Sequence, residues 1–227
     1  MITPKLIEQL EKLLAQIPPK WDGRKAILEM RDASYPHWKQ MEWIGFYFQF
    51  LCDKKLPPLM KIPGPKYGRV EFDGFSEIPW DFKAHPEKNA NGQDNKNVIV
   101  NDTLAIVEAI RQYGGAGLIL AAGNAKYNDK DRRFQIWHQE LKGGLSNYEK
   151  QRILRKAPSR LRKTAFDLKE IKLILLDNKM VSGLGSFQEG FRNSDGSPRN
   201  PKVLLSLEEI IPLRIIKPMT LIKNESK

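Results

Sequence analysis

The run Gly117-Leu-Ile-Leu-Ala-Ala122 carries no polar side chain. Side chains alternate between the two faces of a β-strand, so an unbroken apolar run has to be covered on both. That demands a sheet with helices layered over each face, and the sequence supplies candidates. Residues 4 to 17 read as an amphipathic helix with apolar Leu6, Ile7, Leu10, Leu13 and Leu14, stopped by Pro18-Pro19. Residues 36 to 52 read as a second helix, apolar nearly all round through Trp38, Met41, Trp43, Ile44, Phe46, Phe48, Phe50 and Leu51. A helix of that kind is wrapped by the rest of its domain, and Glu42 in its middle asks for a partner. Asp102 or Thr103 can cap a third helix over Leu104, Ile106, Val107 and Ile110, which Gly114-Gly115 ends. Further helices are expected over 129–142 and 146–163 and a strand over 171–176. Residues 86–97 and 182–202 read as loops, and 203–222 as one or two strands or a short helix plus a strand. The fold class expected is mixed α/β.

The 227 residues, 41% of them hydrophobic, are enough to bury a core without disulfides or metal staples, and a single domain over 1–227 is expected. Cys52 is the only cysteine; it excludes an internal disulfide, sits in an apolar stretch as an inert thiol and suits a reducing compartment. No apolar run approaches the ~20 residues of a membrane helix, and the N-terminus does not read as a signal peptide. A soluble, cytoplasmic protein that does not enter membranes is expected.

Charge gives the first functional clue. Thirty-eight Lys and Arg face 27 Asp and Glu, for a net charge of +11. Lys142, Lys150, Arg152, Arg155, Lys156, Arg160, Arg162 and Lys163 crowd into one stretch against a single acid, Glu149. A stripe of this density suits a polyphosphate, because each neutralised phosphate releases condensed counterions.

The chemistry centres on residues 67 to 85, Tyr-Gly-Arg-Val-Glu-Phe-Asp-Gly-Phe-Ser-Glu-Ile-Pro-Trp-Asp-Phe-Lys-Ala-His. Two β-like runs flank Ser76-Glu-Ile-Pro79. In the second, Asp81 and Lys83 share a face while Trp80 and Phe82 take the other. If the runs form a hairpin, Asp73 lies opposite Asp81 or Phe82, with Glu71 an alternative should the register slip by a residue. Two carboxylates that close repel unless protonated or bridged by a cation. Hard oxygen ligands on rigid strands suit Mg²⁺, and a neighbouring Lys suits metal-assisted hydrolysis of a phosphodiester. Three His (His37, His85, His138) and one Cys do not form an ordinary zinc set. His85, two residues past Lys83 on the same face, could touch a phosphate but reads rather as a hydrogen-bonded structural histidine.

The order of elements, an acid-bearing helix, an acidic hairpin with Asp-x7-Asp-x-Lys, a loop, a capped helix and an apolar strand, resembles the core of the PD-(D/E)xK nucleases. That superfamily includes most type II restriction endonucleases. The resemblance covers about residues 36–122, with a basic recognition part over 123–227. It implies a restriction-endonuclease-like core: a central mixed β-sheet flanked by helices, with added recognition loops and helices. It also implies Asp73 and Asp81 as metal ligands, Lys83 as the catalytic lysine and Glu42 as an auxiliary helix acid. The activity implied is Mg²⁺-dependent cleavage of double-stranded DNA to 5′-phosphate ends, with Mn²⁺ able to substitute, in a prokaryotic cytoplasm. Phe72, not the optional Pro, precedes Asp73, and the gap between the aspartates is short for the family.

Three segments can face DNA. The basic stripe offers a backbone clamp through Arg152, Arg155, Lys156, Arg160, Arg162 and Lys163. The loop after the apolar strand carries Asn124, Lys126, Tyr127, Asn128, Arg132 and Arg133. The segment 183–202 carries Gln188, Arg192, Asn193, Arg199 and Asn200, residue types that read guanine and adenine edges. One site per chain and two strands to cut lead to a homodimer. The competing readings are a structure-specific repair, recombination or transposase-type nuclease of the same fold, and a non-catalytic basic nucleic-acid-binding protein.

Overall fold

The computed structural model describes residues 2–181, 185–187, 198 and 200–219. Helix α1 (Pro4–Leu14) opens the chain, with Thr3 as a true N-cap accepting from the Leu6 N–H. It ends at Leu14, short of the expected residue 17. The short strand β1 (Lys20–Asp22) and helix α2 (Gly23–Asp32) follow, the latter capped by Asp22. Helix α3 (Trp43–Lys55) comes next. It begins seven residues later than the pattern suggests: Ser34 lies in the left-handed region (φ 56°) just before Pro36, and 36–39 form turns. Trp38 and Met41, counted there as helical apolar positions, lie in that connecting segment.

The strands β2 (Lys66–Tyr67) and β3 (Val70–Glu71) form a small ribbon of their own. They lead into β4 (Gly74–Ser76) and the long β5 (Ile78–Pro86). After a polar loop the chain forms β6 (Asn97–Asp102), α4 (Thr103–Tyr113) and β7 (Ala116–Lys126). Gly114 ends α4 in the left-handed conformation (φ 77°) that a residue with a Cβ would resist. Helices α5 (Arg133–Leu141) and α6 (Asn147–Leu154) precede β8 (Ala165–Leu176). The helix expected over 146–163 stops at Leu154, because the residue before Pro158 is excluded from the helical region and Lys156 turns to φ 52°. The single turn α7 (Asn178–Val181) and strands β9 (Gly185–Phe187), β10 (Lys202–Ser206) and β11 (Arg214–Ile216) complete the described elements.

The molecule is a mixed α/β fold around a curled mixed sheet. Its strand order is β1-β8-β7-β5-β4, with β11 also on β8. β5 and β7 are parallel, joined through β6 and α4; β4–β5 and β7–β8 are antiparallel. β6, β10 and β9 form a second, three-stranded sheet. The apolar run of β7 is buried on both faces, as its composition requires. Ile119 and Ala121 join Trp80, Phe82 and helices α1–α3 on one side, while Leu118 and Leu120 join α4, Val98, Val100 and Leu205 on the other. Gly117 is paired with Trp80, and a Cβ on it would stand 2.2 Å from the indole, so only glycine lets that ring lie flat across β7. No helix among the described residues is long and apolar enough to cross a membrane.

Candidate active site

The turn between β4 and β5 is tighter than Ser76–Pro79. Ser76 pairs with Ile78, so Glu77 alone turns the chain, at φ 60°. Its carboxylate accepts from the Thr3 N–H and hydroxyl, both at 2.7 Å, which ties the turn to the start of α1. The register, Gly74 opposite Trp80 and Phe75 opposite Pro79, extends to Asp73 opposite Asp81. At Asp73 the ladder ends. The Phe72 N–H donates to Pro65 (3.0 Å) and Gly64 donates back to the Phe72 carbonyl (2.9 Å), so the chain peels away from β5. The Asp73 carboxylate takes over: one oxygen accepts from the Phe82 main-chain N–H (2.6 Å), the other from Nε2 of Gln49 on α3 (2.7 Å).

Alternation along β5 sends Trp80 and Phe82 into the core under α3 and turns Asp81 and Lys83 to the opposite face, beside Leu118 and Leu120 of β7. Asp81 is 5% exposed. Its Oδ2 is buried without a hydrogen bond and has the Lys83 ammonium beside it, Nζ at 3.0 Å. Burial first, and the Asp81 carboxyl second, hold the Asp73 carboxyl well above the usual aspartate range. Burial works against the Lys83 charge, but Asp81 and Asp73 outweigh it, so the amine is held as ammonium more firmly than usual.

Two facing carboxylates, one with a buried oxygen without a hydrogen bond and the other raised well above the usual range, are a donor set that would suit a hard divalent cation. Mg²⁺ commonly takes only one or two carboxylates and completes its shell with water and phosphate oxygen. Among the described residues no group of three or more His, Cys, Asp or Glu is placed to hold a metal. Asp73 and Asp81 therefore stand as a two-carboxylate set.

Glu71 is not part of it. It is exposed, opposite Lys66 in the β2–β3 ribbon. Nor is Glu42, expected in mid-helix as an auxiliary acid: it occupies the N-cap position of α3, exposed and ion-paired with Lys163. Seven residues, about 10 Å of helix rise, separate it from Gln49, the α3 side chain that reaches the site. Gln49 was missed because it carries no charge, although its spacing was visible: residues 42, 46, 49 and 53 fall on one stripe of the helix. Asp53, on that stripe, has its carboxyl raised by burial. Burial first, then the Asp53 charge, push the Tyr35 hydroxyl up, with Asp73 a smaller contributor. His85 is buried with Nε2 2.6 Å from the Asn95 carbonyl, a structural role.

The basic candidates divide. Arg152 and Arg162 turn inward to the buried Glu149, at 2.9 and 3.3 Å, and are not a phosphate clamp. Lys163 is engaged by Glu42. Arg155, Lys156 and Arg160 are exposed. At the end of β7, Asn124, Lys126 and Asn128 are exposed; Lys126 lies 3.4 Å from Asp167, and Asn128 accepts from Thr164. The Tyr127 hydroxyl reaches the Lys88 carbonyl at 3.4 Å. Arg132 and Arg133 are exposed, the latter 2.9 Å from Asp131. Asn200 donates to Asp102 (3.2 Å), while Gln188, Arg192, Asn193 and Arg199 lie outside the described residues. No protein-family model, curated protein or solved structure matches this chain.

Proposed function

We propose that the chain is a Mg²⁺-dependent endonuclease that cuts double-stranded DNA in the manner of a type II restriction enzyme, as a homodimer, leaving 5′-phosphates. The observation that carries this reading is the pairing of Asp73 and Asp81 across the β4–β5 turn, with the Lys83 ammonium 3.0 Å from an Asp81 oxygen that lacks a hydrogen bond. The antiparallel β4–β5 pair followed by a parallel crossover through α4 to β7 supports a restriction-endonuclease-like core. So does the basic balance of the chain.

In this reading Asp73 and Asp81 would hold the cation, which would supply Lewis acidity toward a phosphoryl oxygen and toward the attacking water. Lys83 orients the attacking water and opposes the negative charge that builds on the phosphorus oxygens. The Lys83 ammonium, 3.0 Å from Asp81 Oδ2, offsets negative charge in the site. Gln49 fixes the Asp73 carboxylate by donating to one oxygen while Phe82 holds the other.

The test is digestion of plasmid and genomic DNA with Mg²⁺ or Mn²⁺. Wild type is expected to give discrete fragments with mappable ends. Lys83→Ala is expected to lose at least ~100-fold in cleavage while DNA binding stays within about threefold. Cleavage of branched or damaged DNA alone would overturn the restriction reading. No cleavage of any DNA with either ion would overturn the nuclease.

A further inference from the structure

A cavity of about 750 Å³ opens between the N-terminal end of α3 and the α5–α6 connection. Its walls are of two kinds. Met41, Phe46, Leu145 and the ring of Tyr148 are apolar, and Tyr148 is 64% exposed at the rim. Lys39 and Lys142 bring two ammonium groups, and Gly143-Gly144, both at positive φ, bring a bare stretch of main chain. Lys142 is half-buried, and no carboxylate ion-pairs with it among the described residues. Burial first, then the Arg162 charge, depress its ammonium, with Glu149 only partly offsetting. A desolvated cation beside an exposed aromatic ring is matched by an anion attached to a planar ring.

Position matters as much as lining. Glu42 and Phe46 line the cavity, and Gln49, the next residue of the same α3 stripe, holds Asp73. The cavity therefore begins one turn of helix from Gln49, and its far end at Glu42 lies about 10 Å along α3 from that residue. At about 3.4 Å of helix axis per nucleotide step, that is a reach of two or three nucleotides.

We infer that this cavity receives one unstacked nucleotide of a DNA strand whose backbone runs along α3 to Asp73 and Asp81. Its base lies on Tyr148 against Phe46 and Met41, and its phosphate lies between Lys39 and Lys142. The inference rests on the nuclease reading for its direction, and its test is independent of cleavage. A short single-stranded deoxyoligonucleotide with a fluorescent end label is titrated, without divalent ions, into the Lys83→Ala protein and into that protein carrying a second change. Adding Tyr148→Ala is expected to weaken binding about tenfold, with Tyr148→Phe within about twofold of the parent. Adding Lys142→Met is expected to lower the slope of log affinity against log salt by about one. Unchanged affinity with Tyr148→Ala, its thermal unfolding matching the parent's, would overturn the inference. Deoxyadenosine monophosphate binding as tightly as the oligonucleotide would make the occupant a free nucleotide and overturn the strand assignment. If wild type cuts DNA while Tyr148→Ala changes nothing, the cavity falls and the carboxylate site stands. If the Tyr148 effect appears and no DNA is ever cut, the cavity stands and the nuclease falls.

Discussion

Asp81→Asn is expected to make the metal-free protein more stable while abolishing the proposed DNA cleavage. In the wild-type chain the Asp81 carboxylate has one oxygen buried without a hydrogen bond and faces a second carboxyl that burial and Asp81 together hold well above the usual range. The amide removes that repulsion and can donate to Asp73, a hydrogen bond to a charged group worth about 1.5–3 kcal/mol. What is lost is the ion pair with Lys83; the ammonium is 31% exposed and keeps the Asp73 carboxyl beside it, so the loss is about 1 kcal/mol. The net gain is about 1–2 kcal/mol near pH 8. At 2–4 °C per kcal/mol for a chain of this size, Tm rises by roughly 2–8 °C. The pH profile carries a second signature. The unfolded chain ionises Asp73 near the ordinary value of 3.8 and the folded chain only at higher pH, so wild-type stability falls as pH rises between those two points. In Asp81→Asn that fall is expected to shrink, because the neighbouring charge that raised Asp73 is gone. Thermal unfolding in EDTA across pH 4 to 8, repeated with Mg²⁺, measures both. Mg²⁺ is expected to raise Tm for wild type and not for the variant. A Tm lowered by several degrees with an unaltered pH profile would refute the reasoning and make Asp81–Lys83 an ordinary structural ion pair.

Gln49→Ala, which frees one Asp73 oxygen, is expected to reduce Mg²⁺-dependent cleavage about tenfold, whereas Glu42→Ala, two turns away and exposed, should leave both cleavage and stability nearly unchanged in parallel assays. Glu149→Ala leaves two inward-facing arginines without their acid and should cost about 3–5 kcal/mol, a fall in Tm of roughly 6–20 °C by calorimetry. His138 is held neutral by burial, with Lys142 adding to the effect, down to about 4 from 6.5. Its protonation is therefore expected to remove up to about 3 kcal/mol of stability as pH falls from 6.5 to 4, a loss that should be absent in urea titrations of His138→Gln.

Where periodicity and punctuation agreed, the sequence was readable. β7 announces itself by an apolar run and α4 by an apolar stripe ended at Gly114. The facing of Asp73 and Asp81 followed from β-alternation and one turn. The failures have identifiable causes. Apolar content alone cannot separate helix from packed loop, so Trp38 and Met41 were drawn into α3 although Ser34 and Pro36 turn the chain before them. β6 alternates inward Val98 and Val100 with outward Asn97 and Ile99, a period-two signal overlooked inside a polar stretch. Arg152 and Arg162 looked like a clamp because local charge density carries no direction; only the fold turns them onto Glu149. Gln49 is an uncharged residue in an apolar helix, and nothing in its identity marks it as a partner of Asp73.

The carboxylate of Asp73 is also a rung of the sheet, standing where a main-chain carbonyl would otherwise meet the Phe82 N–H. Architecture and chemistry are thus written into one side chain. A replacement at 73 that takes away the accepting oxygen unfastens the edge of β5 and, in the proposed reading, removes a cation ligand at the same moment, so effects on activity and on folding would arrive fused. Asp81 receives no main-chain N–H among the described residues and can be altered without touching the weave. Selection acting on position 73 therefore sees two traits at once, and the route by which such a chain could shed its chemistry while keeping its shape runs through position 81.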